Sequence, residues 1–414
     1  MNGIVLDGFR VIEASAFVAA PSGGMTLAQL GAEVIRIDPP GGGLDYRRWP
    51  VTPDNTSLFW AGLNKSKRSV VIDTACEEGR ELAMALVCAP AEEGGMLLTN
   101  LPPRGWLSYE HLQQRRSDLI QLTIQGTRQG GSAVDYTVNP TLGIPYITGQ
   151  VGTAAPVNHV LPAWDLITGQ MAGLGLLAAE RYRRRHGLGQ HIKLALEDVG
   201  LAVMGQLGFI AEAQLGQARE RHGNDLFGAF GRDFVCADGA RIMVVALTLK
   251  QWKCLVEATE TAAAMAALAQ DLGVNLSREG NRFRSRERIA AVVAPWIAAR
   301  GLDQVAQGFD RAGVCWSRYQ TVAQLAAGSS VDPVHNPLFT RVEQPGIGTI
   351  SSPATPLHFD LAGRKSAEPA PLLGQHTEEV LCGVLGLSAQ QFGSLHDRGV
   401  VATSAAGSRS QVHR

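Results

Sequence analysis

Asp165 stands in the run WDLITG, directly before an apolar helical pattern, LITGQMAGLGLLAAE. A carboxylate in that place reads as a helix N-cap, and the positive end of the helix dipole holds it in position and keeps it ionised. Six residues upstream lies His159, in VNHVLPAWD. It reads either as a loop histidine bonded to backbone or as a substrate or proton contact. Other reactive sets are few. There is no GxSxG elbow and no P-loop. The histidines are scattered without HxH or HExxH spacing, and the six cysteines (Cys76, Cys88, Cys236, Cys254, Cys315, Cys382) form no CxxC pair. No zinc-type cluster follows from these spacings, so no metal is expected. The run GLGLLA (173–178) has the letters of a dinucleotide turn but no strand before it, and Gly346-Ile347-Gly348 has the same fault.

The elements that must position these groups alternate. Residues 9–13 (FRVIE) form a short apolar strand, 14–24 (ASAFVAAPSGG) a loop, MTLAQLG a helix and 32–38 (AEVIRID) a second strand. Strand, helix and strand within about thirty residues imply a parallel pair with a crossover helix. The loop's AAPSGG offers backbone N–H groups to a pyrophosphate, without the NAD fingerprint. The pattern returns in SVVID (69–73) before EEGRELAMALV, in MLLTN (96–100), and in LIQLTIQG (119–126). The fold class is therefore α/β, with a Rossmann-like open sheet in a large domain. Residues 166–185 predict one long helix in which Gly169 and Gly173, at i and i+4, let a neighbouring backbone come close. A strand, HIKLAL, follows.

Near residue 220 the texture changes. Residues 234–247 predict a hairpin turning at Asp238-Gly239, then helical segments run through 251–326. This places a large domain at 1–220, a smaller α+β domain at 221–330, a return to the large domain at 331–402 and a disordered polar tail at 403–414. Lysine plus arginine (37) nearly cancels aspartate plus glutamate (38), which leaves no electrostatic footprint for nucleic acid or an anionic membrane. Scattered thiols fit a reducing cytoplasm. The start, MNGIVLDGFRVIEAS, has no basic region followed by an apolar run, so no secretory signal is expected. No apolar stretch is long enough to span a bilayer.

Five separated stretches, in order, resemble the class III CoA-transferase family, the formyl-CoA transferase and α-methylacyl-CoA racemase group. They are LDGFRVIEASAFVAAPSGGMTLAQLGAEVIRID, LNKSKRSVVID, the strand ending in Asn100, WDLITGQMAGLGLLAAERYRR with GLGQHIKLAL, and PAPLLGQHTEEVL. The resemblance implies an interlocked homodimer and assigns the nucleophilic aspartate to Asp165. It places CoA contacts at Val18, Ala19, Ile72, Asn100 and Leu101, and at Arg104, where this chain is shorter than the family pattern. GGGLDYRRWP, WLSYEHL, SAVDYTVNPTLGIPYITGQ, VNHVLPAWD and GNDLFGAFGRDF narrow the resemblance to a branch that moves CoA between the two carboxyls of mesaconate, a short branched diacid. Racemases of the family carry a His-Asp pair where this chain has Val134-Asp135, and valine accepts no proton.

The implied chemistry needs a temporary acyl acceptor. An aspartate with a reference pKa of about 3.9 is ionised at pH 7 and needs no general base. No cofactor is expected beyond the CoA of the substrate. Arg47 and Arg48, in DYRRWP, read as anchors for the free carboxylate of the diacid or as solvated loop charges. Asp135 orders the site or caps a turn. Three readings stay open: transfer within one diacid, transfer between an acyl-CoA and a separate acid, and a racemase or CoA-thioester binding protein without a covalent intermediate.

Overall fold

The computed structural model describes residues 3–217 and 219–404. The tail expected at 403–414 lies outside the described residues from position 405 onward. The chain divides into two compact units, one of Met1–Leu142, Val160–Ala211 and Gly328–Arg414, the other of Gly143–His159 and Glu212–Ala327. The second unit thus takes in a segment just before Asp165 that carries no change of composition.

The first half of the chain runs β1 (Arg10–Ala14), α1 (Ala19–Gln29), β2 (Glu33–Asp38), α2 (Leu58–Leu63), β3 (Arg68–Ile72), α3 (Glu77–Cys88), β4 (Met96–Thr99), α4 (Tyr109–Arg115), β5 (Ile120–Gln125), α5 (Asp135–Thr141), α6 (Ile144–Ile147), α7 (Ala163–His186), β6 (Gln190–Ala195) and α8 (Leu196–Gln206). In the second unit β7 (Phe230–Val235), β8 (Arg241–Ala246) and β9 (Cys315–Arg318) form an antiparallel sheet in that order. The hairpin β7–β8 turns at Asp238-Gly239, and β9, too short and polar to stand out in sequence, closes the sheet against β8. In the first unit β10 (Phe339–Gln344) and β11 (Gly348–Pro353) pair as a hairpin, and β12 (Val401–Ala402) joins the large sheet.

That large sheet has the order β12-β3-β2-β1-β4-β5-β6. All its pairs are parallel except β12 with β3. The order 3-2-1-4-5-6 is that of the doubly wound dinucleotide folds, in which ligands bind outside the carboxyl ends of the strands where the order reverses. Here the reversal lies between β1 and β4. Alternation along the strands feeds two cores. Val11, Val34, Leu98 and Leu122 face α1 and α7 on one side, while Ile12, Ile35 and Leu97 face α3 and the C-terminal helices on the other. A sheet buried on both faces accounts for the near-continuous apolar runs that marked these strands.

Two boundaries at α1 and α7 differ from expectation. Helix α1 starts at Ala19, so AAPSGG forms its opening turns and the true β1–α1 loop is only 15–18. Pro21, in the first turn, has no N–H to miss. The glycines looked like loop residues but serve packing. A Cβ on Gly23 would meet the Gly169 carbonyl oxygen at 2.8 Å, and one on Gly169 would meet Ser22 Oγ at 2.0 Å. The contacts advance together, Ala19 with Gly169 and Leu27 with Gly173, so α1 and α7 run parallel with their N-termini at the same end. The close approach expected at Gly169 is therefore real, whereas Gly173 sits in ordinary contact at 3.9 Å. The second difference is α7 itself, which begins at Ala163 rather than Leu166.

Candidate active site

That early start moves Asp165. It is the third residue of α7, not its N-cap, and α7 has no side-chain cap from its own N-cap residue, Pro162. The cap comes from elsewhere. Asp135, the first residue of α5 and 1% exposed, accepts the backbone N–H of Trp164 at 2.8 Å and that of Asp165 at 3.2 Å through Oδ2. Trp164 Nε1 donates to Asn139 Oδ1 at 3.1 Å, which fixes the same turn from a second point on α5. Two orphan donors of a helix start are satisfied by one borrowed carboxylate.

The electrostatics of Asp165 also depart from expectation. Burial pushes its carboxyl up to about 7, the Asp135 carboxylate adds to this, and the Arg48 guanidinium pulls it back down. The dipole at the start of a helix favours the anion by about 1 kcal/mol, and burial outweighs it. The carboxylate expected to be fully ionised is thus poised near neutrality. Arg48 is the cation of this group. Its guanidinium lies 5.2 Å from the ring centre of Phe17 and 5.3 Å from that of Phe59. Arg47 is exposed and makes no ion pair among the described residues.

Of the other expected residues, Val18, Ala19, Asn100 and Leu101 lie where the chain leaves β1 and β4, the strands that flank the reversal. Val18 is the N-cap residue of α1, and Val18 and Ala19 are buried. Asn100, just past β4, ties the two sides of the crevice: its Oδ1 accepts the Ala16 N–H at 2.9 Å and its Nδ2 donates to the Ala16 carbonyl at 2.7 Å. Leu101 is held by Thr99, whose Oγ1 accepts its N–H at 3.0 Å. Ile72 ends β3 with its side chain wholly in the core, so only its backbone faces the strand ends. Arg104 is exposed, opening a single 3-10 turn after β4. His159 belongs to the second unit, in its 143–159 segment. Val134 precedes α5 with its side chain half exposed and offers no proton acceptor.

Sequence reasoning missed a buried charge cluster beneath the loop. Arg36, 1% exposed, bonds Asp45 at 2.8 Å and Asp38 at 3.1 Å, stands 3.7 Å from Glu13, and lies over the Trp60 ring at 4.4 Å. Lys67 bonds Glu13 at 2.8 Å. Burial works against the Arg36 charge, yet Asp38, Asp45 and Glu13 hold its pKa well above the ordinary value; burial pulls the Lys67 ammonium down to about 8 despite Glu13. The signal was present: Glu13 and Arg36 interrupt two apolar strands and fall opposite each other in the β1–β2 register. A charge inside a doubly covered parallel strand needs a partner.

A doubly wound α/β sheet whose strand order reverses between β1 and β4, with the Asp165 carboxylate on the start of a helix packed against the helix that leaves β1, is the arrangement that binds ligands at the strand ends. The chain belongs to CoA-transferase family III, whose model matches residues 6–377. It is 56% identical over 404 residues, 97% of this chain and 98% of the relative, to the 2-methylfumaryl-CoA isomerase of Chloroflexus aurantiacus. It is 30% identical, over 96% of this chain and 98% of the relative, to succinyl-CoA–D-citramalate CoA-transferase of the same organism. Among solved structures, a CAIB/BAIF family protein from Brucella suis is similar with a TM-score of 0.74 and 25% identity, covering 93% of this chain and 100% of that one.

Proposed function

We propose that the protein moves CoA between the C1 and C4 carboxyls of mesaconate, converting 2-methylfumaryl-CoA to 3-methylfumaryl-CoA, with Asp165 as covalent acceptor. Near-full-length identity of 56% to an enzyme named for that isomerisation carries the reading. The site supports its mechanism. The ionised Asp165 oxygen attacks the thioester carbonyl, the C–S bond breaks, and a mixed anhydride forms as CoA thiolate leaves. The thiolate attacks the aspartyl carbonyl, giving an aspartyl-CoA thioester and freeing the diacid. The diacid's other carboxylate then attacks that thioester and expels thiolate. Thiolate finally takes the acyl group from the second anhydride, and the Asp165 carboxylate returns. No proton is gained or lost.

In this reading Arg48 anchors the carboxylate that is not reacting, and Asp135 holds the start of α7 so that Asp165 points consistently. Val18, Ala19, Ile72, Asn100, Leu101 and Arg104 contribute the CoA side at the strand ends, where doubly wound folds bind their ligands. Beyond the CoA of the substrate no cofactor is needed. We also propose a homodimer. Leu166, Met171 and Leu174 of α7 and Leu201 of α8 are apolar side chains left 36–59% exposed, which suits a covered face. No single helix among the described residues is long and apolar enough to cross a membrane, and all six cysteines are free; both suit a cytoplasmic enzyme.

Trapping tests the covalent step. Incubation with mesaconyl-CoA followed by borohydride or hydroxylamine is expected to modify Asp165, read by peptide mass spectrometry. An unmodified Asp165, together with full activity in Asp165→Ala, would overturn the mechanism.

A further inference from the structure

We propose that Asp45 is a positioning residue for the reaction, one carboxylate that sets both the left-handed backbone at Phe17 and the guanidinium of Arg48 beside Asp165. The inference rests on the roles given above to Asp165 and Arg48, and it adds a residue that touches neither substrate nor nucleophile.

The geometry is a chain of contacts. Asp45 is 1% exposed and clamped by Arg36, whose Nη2 donates to Oδ1 at 2.8 Å and to Oδ2 at 3.1 Å. The same Oδ2 accepts the backbone N–H of Phe17 at 3.2 Å. Phe17 has φ of +66°, a left-handed conformation that an aromatic residue adopts only when its surroundings impose it. The imposition is visible on both sides: Asn100 brackets Ala16, and Asp45 holds the next N–H. In that conformation the Phe17 ring forms one wall against Arg48, and Phe59 forms the other. Asp45 reaches Arg48 by a second route, because its carbonyl accepts the Arg48 N–H at 3.2 Å and closes the turn that carries the arginine. Side chain and main chain of one residue therefore fix the ring below Arg48 and the backbone beneath it.

The cluster under Asp45 holds three carboxylates, Glu13, Asp38 and Asp45, against two cations, Arg36 and Lys67. Both Asp45 oxygens accept from donors, so asparagine turns an amide N–H against Arg36 or Phe17 and loosens the clamp, yet two carboxylates remain for two cations, no buried cation loses its last partner and the variant is expected to fold. The groups acting on Asp165 are Asp135 from α5 and Arg48 from the loop before α2; from α1, Ala19, Ser22 and Gly23 pack through uncharged atoms on Gly169, one turn further along α7.

The test is a double-mutant cycle with Asp45→Asn and Arg48→Gln in the full-length enzyme, reading kcat/KM for mesaconyl-CoA across pH. Misplacing a binding cation costs roughly 10- to 100-fold, and Asp45→Asn alone is expected to lose that much. In the Arg48→Gln background it is expected to lose almost nothing more, because the residue it positions is already gone. The acid limb of the profile is expected to move to higher pH in both single variants, since Arg48 no longer favours the Asp165 anion. Loss of the Asp45 charge by itself would move it to lower pH. Additive losses, or an acid limb that stays or moves down in Asp45→Asn, overturn the proposal. Asp45→Glu, which keeps the charge for Arg36 but displaces the carboxylate from the Phe17 N–H, is the second variant and is expected to show the same pattern. An Arg48→Gln enzyme with full activity would instead overturn the role given to Arg48 itself.

Discussion

A carboxylate poised near neutrality is an acceptable nucleophile only where its protonation can be felt in the rate. Burial, first, and the Asp135 carboxylate, second, push Asp165 up to about 7, against the pull of Arg48. In the proposed mechanism the anion attacks, so kcat/KM should fall as pH drops below that value. Asparagine at 135 can still accept the N–H groups of Trp164 and Asp165 while removing the charge. Asp135→Asn is thus expected to move the acid limb of the pH profile downward and to leave stability nearly unchanged. Asp135→Ala also loses the cap, at about 1 kcal/mol in a thermal melt. An unmoved acid limb in Asp135→Asn would show that the Asp135 charge does not act on the nucleophile. At this scale the family motif named Asp165 as the proposed nucleophile but gave no hint of its state. Its pKa depends on Asp135, thirty positions away, and on a loop arginine, and no local pattern encodes either neighbour.

At the scale of elements, α1 and α7 carry the site, and two facing glycines let them touch. Alanine at 169 would meet Ser22 Oγ at 2.0 Å and the Ala19 carbonyl at 2.7 Å. The helices would separate at an overpacking cost of about 1–3 kcal/mol, and the start of α7 would shift relative to the reversal loops. Gly169→Ala is expected to lower both the melting temperature and kcat. Gly383→Ala is the contrast. It sits exposed within the helix Thr377–Leu385, where an added Cβ would meet nothing within 4 Å, and is expected to stabilise by about 0.5–1 kcal/mol with activity unchanged. Equal melts for the two would remove the packing argument. The strands β1 to β5 were legible because each is a short apolar run buried on both faces. The start of α1 was not, since Pro and two Gly in sequence look the same in a loop as in a helix opening that is packed against another backbone. The Glu13–Arg36–Asp45 cluster escaped for a related reason: the strand register pairs Glu13 with Arg36, and the loop after β2 folds Asp45 back onto them.

For the whole molecule, the central question is what becomes of the diacid while, in the proposed mechanism, CoA rests on Asp165. Transfer within one molecule requires that the diacid stay bound and turn its other carboxylate to the aspartyl thioester. Transfer between molecules, as the name of the 30% identical relative describes for that enzyme, requires that one acid leave and another enter. The α/β architecture and its sheet order serve both, which is why the fold was readable early while the choice between these reactions rested on family motifs. Isotopically labelled free mesaconate, added during turnover of unlabelled mesaconyl-CoA, separates them by mass spectrometry of the CoA esters. The account predicts that both isomeric esters interconvert while remaining unlabelled. Label entering the esters at the rate of turnover would contradict it.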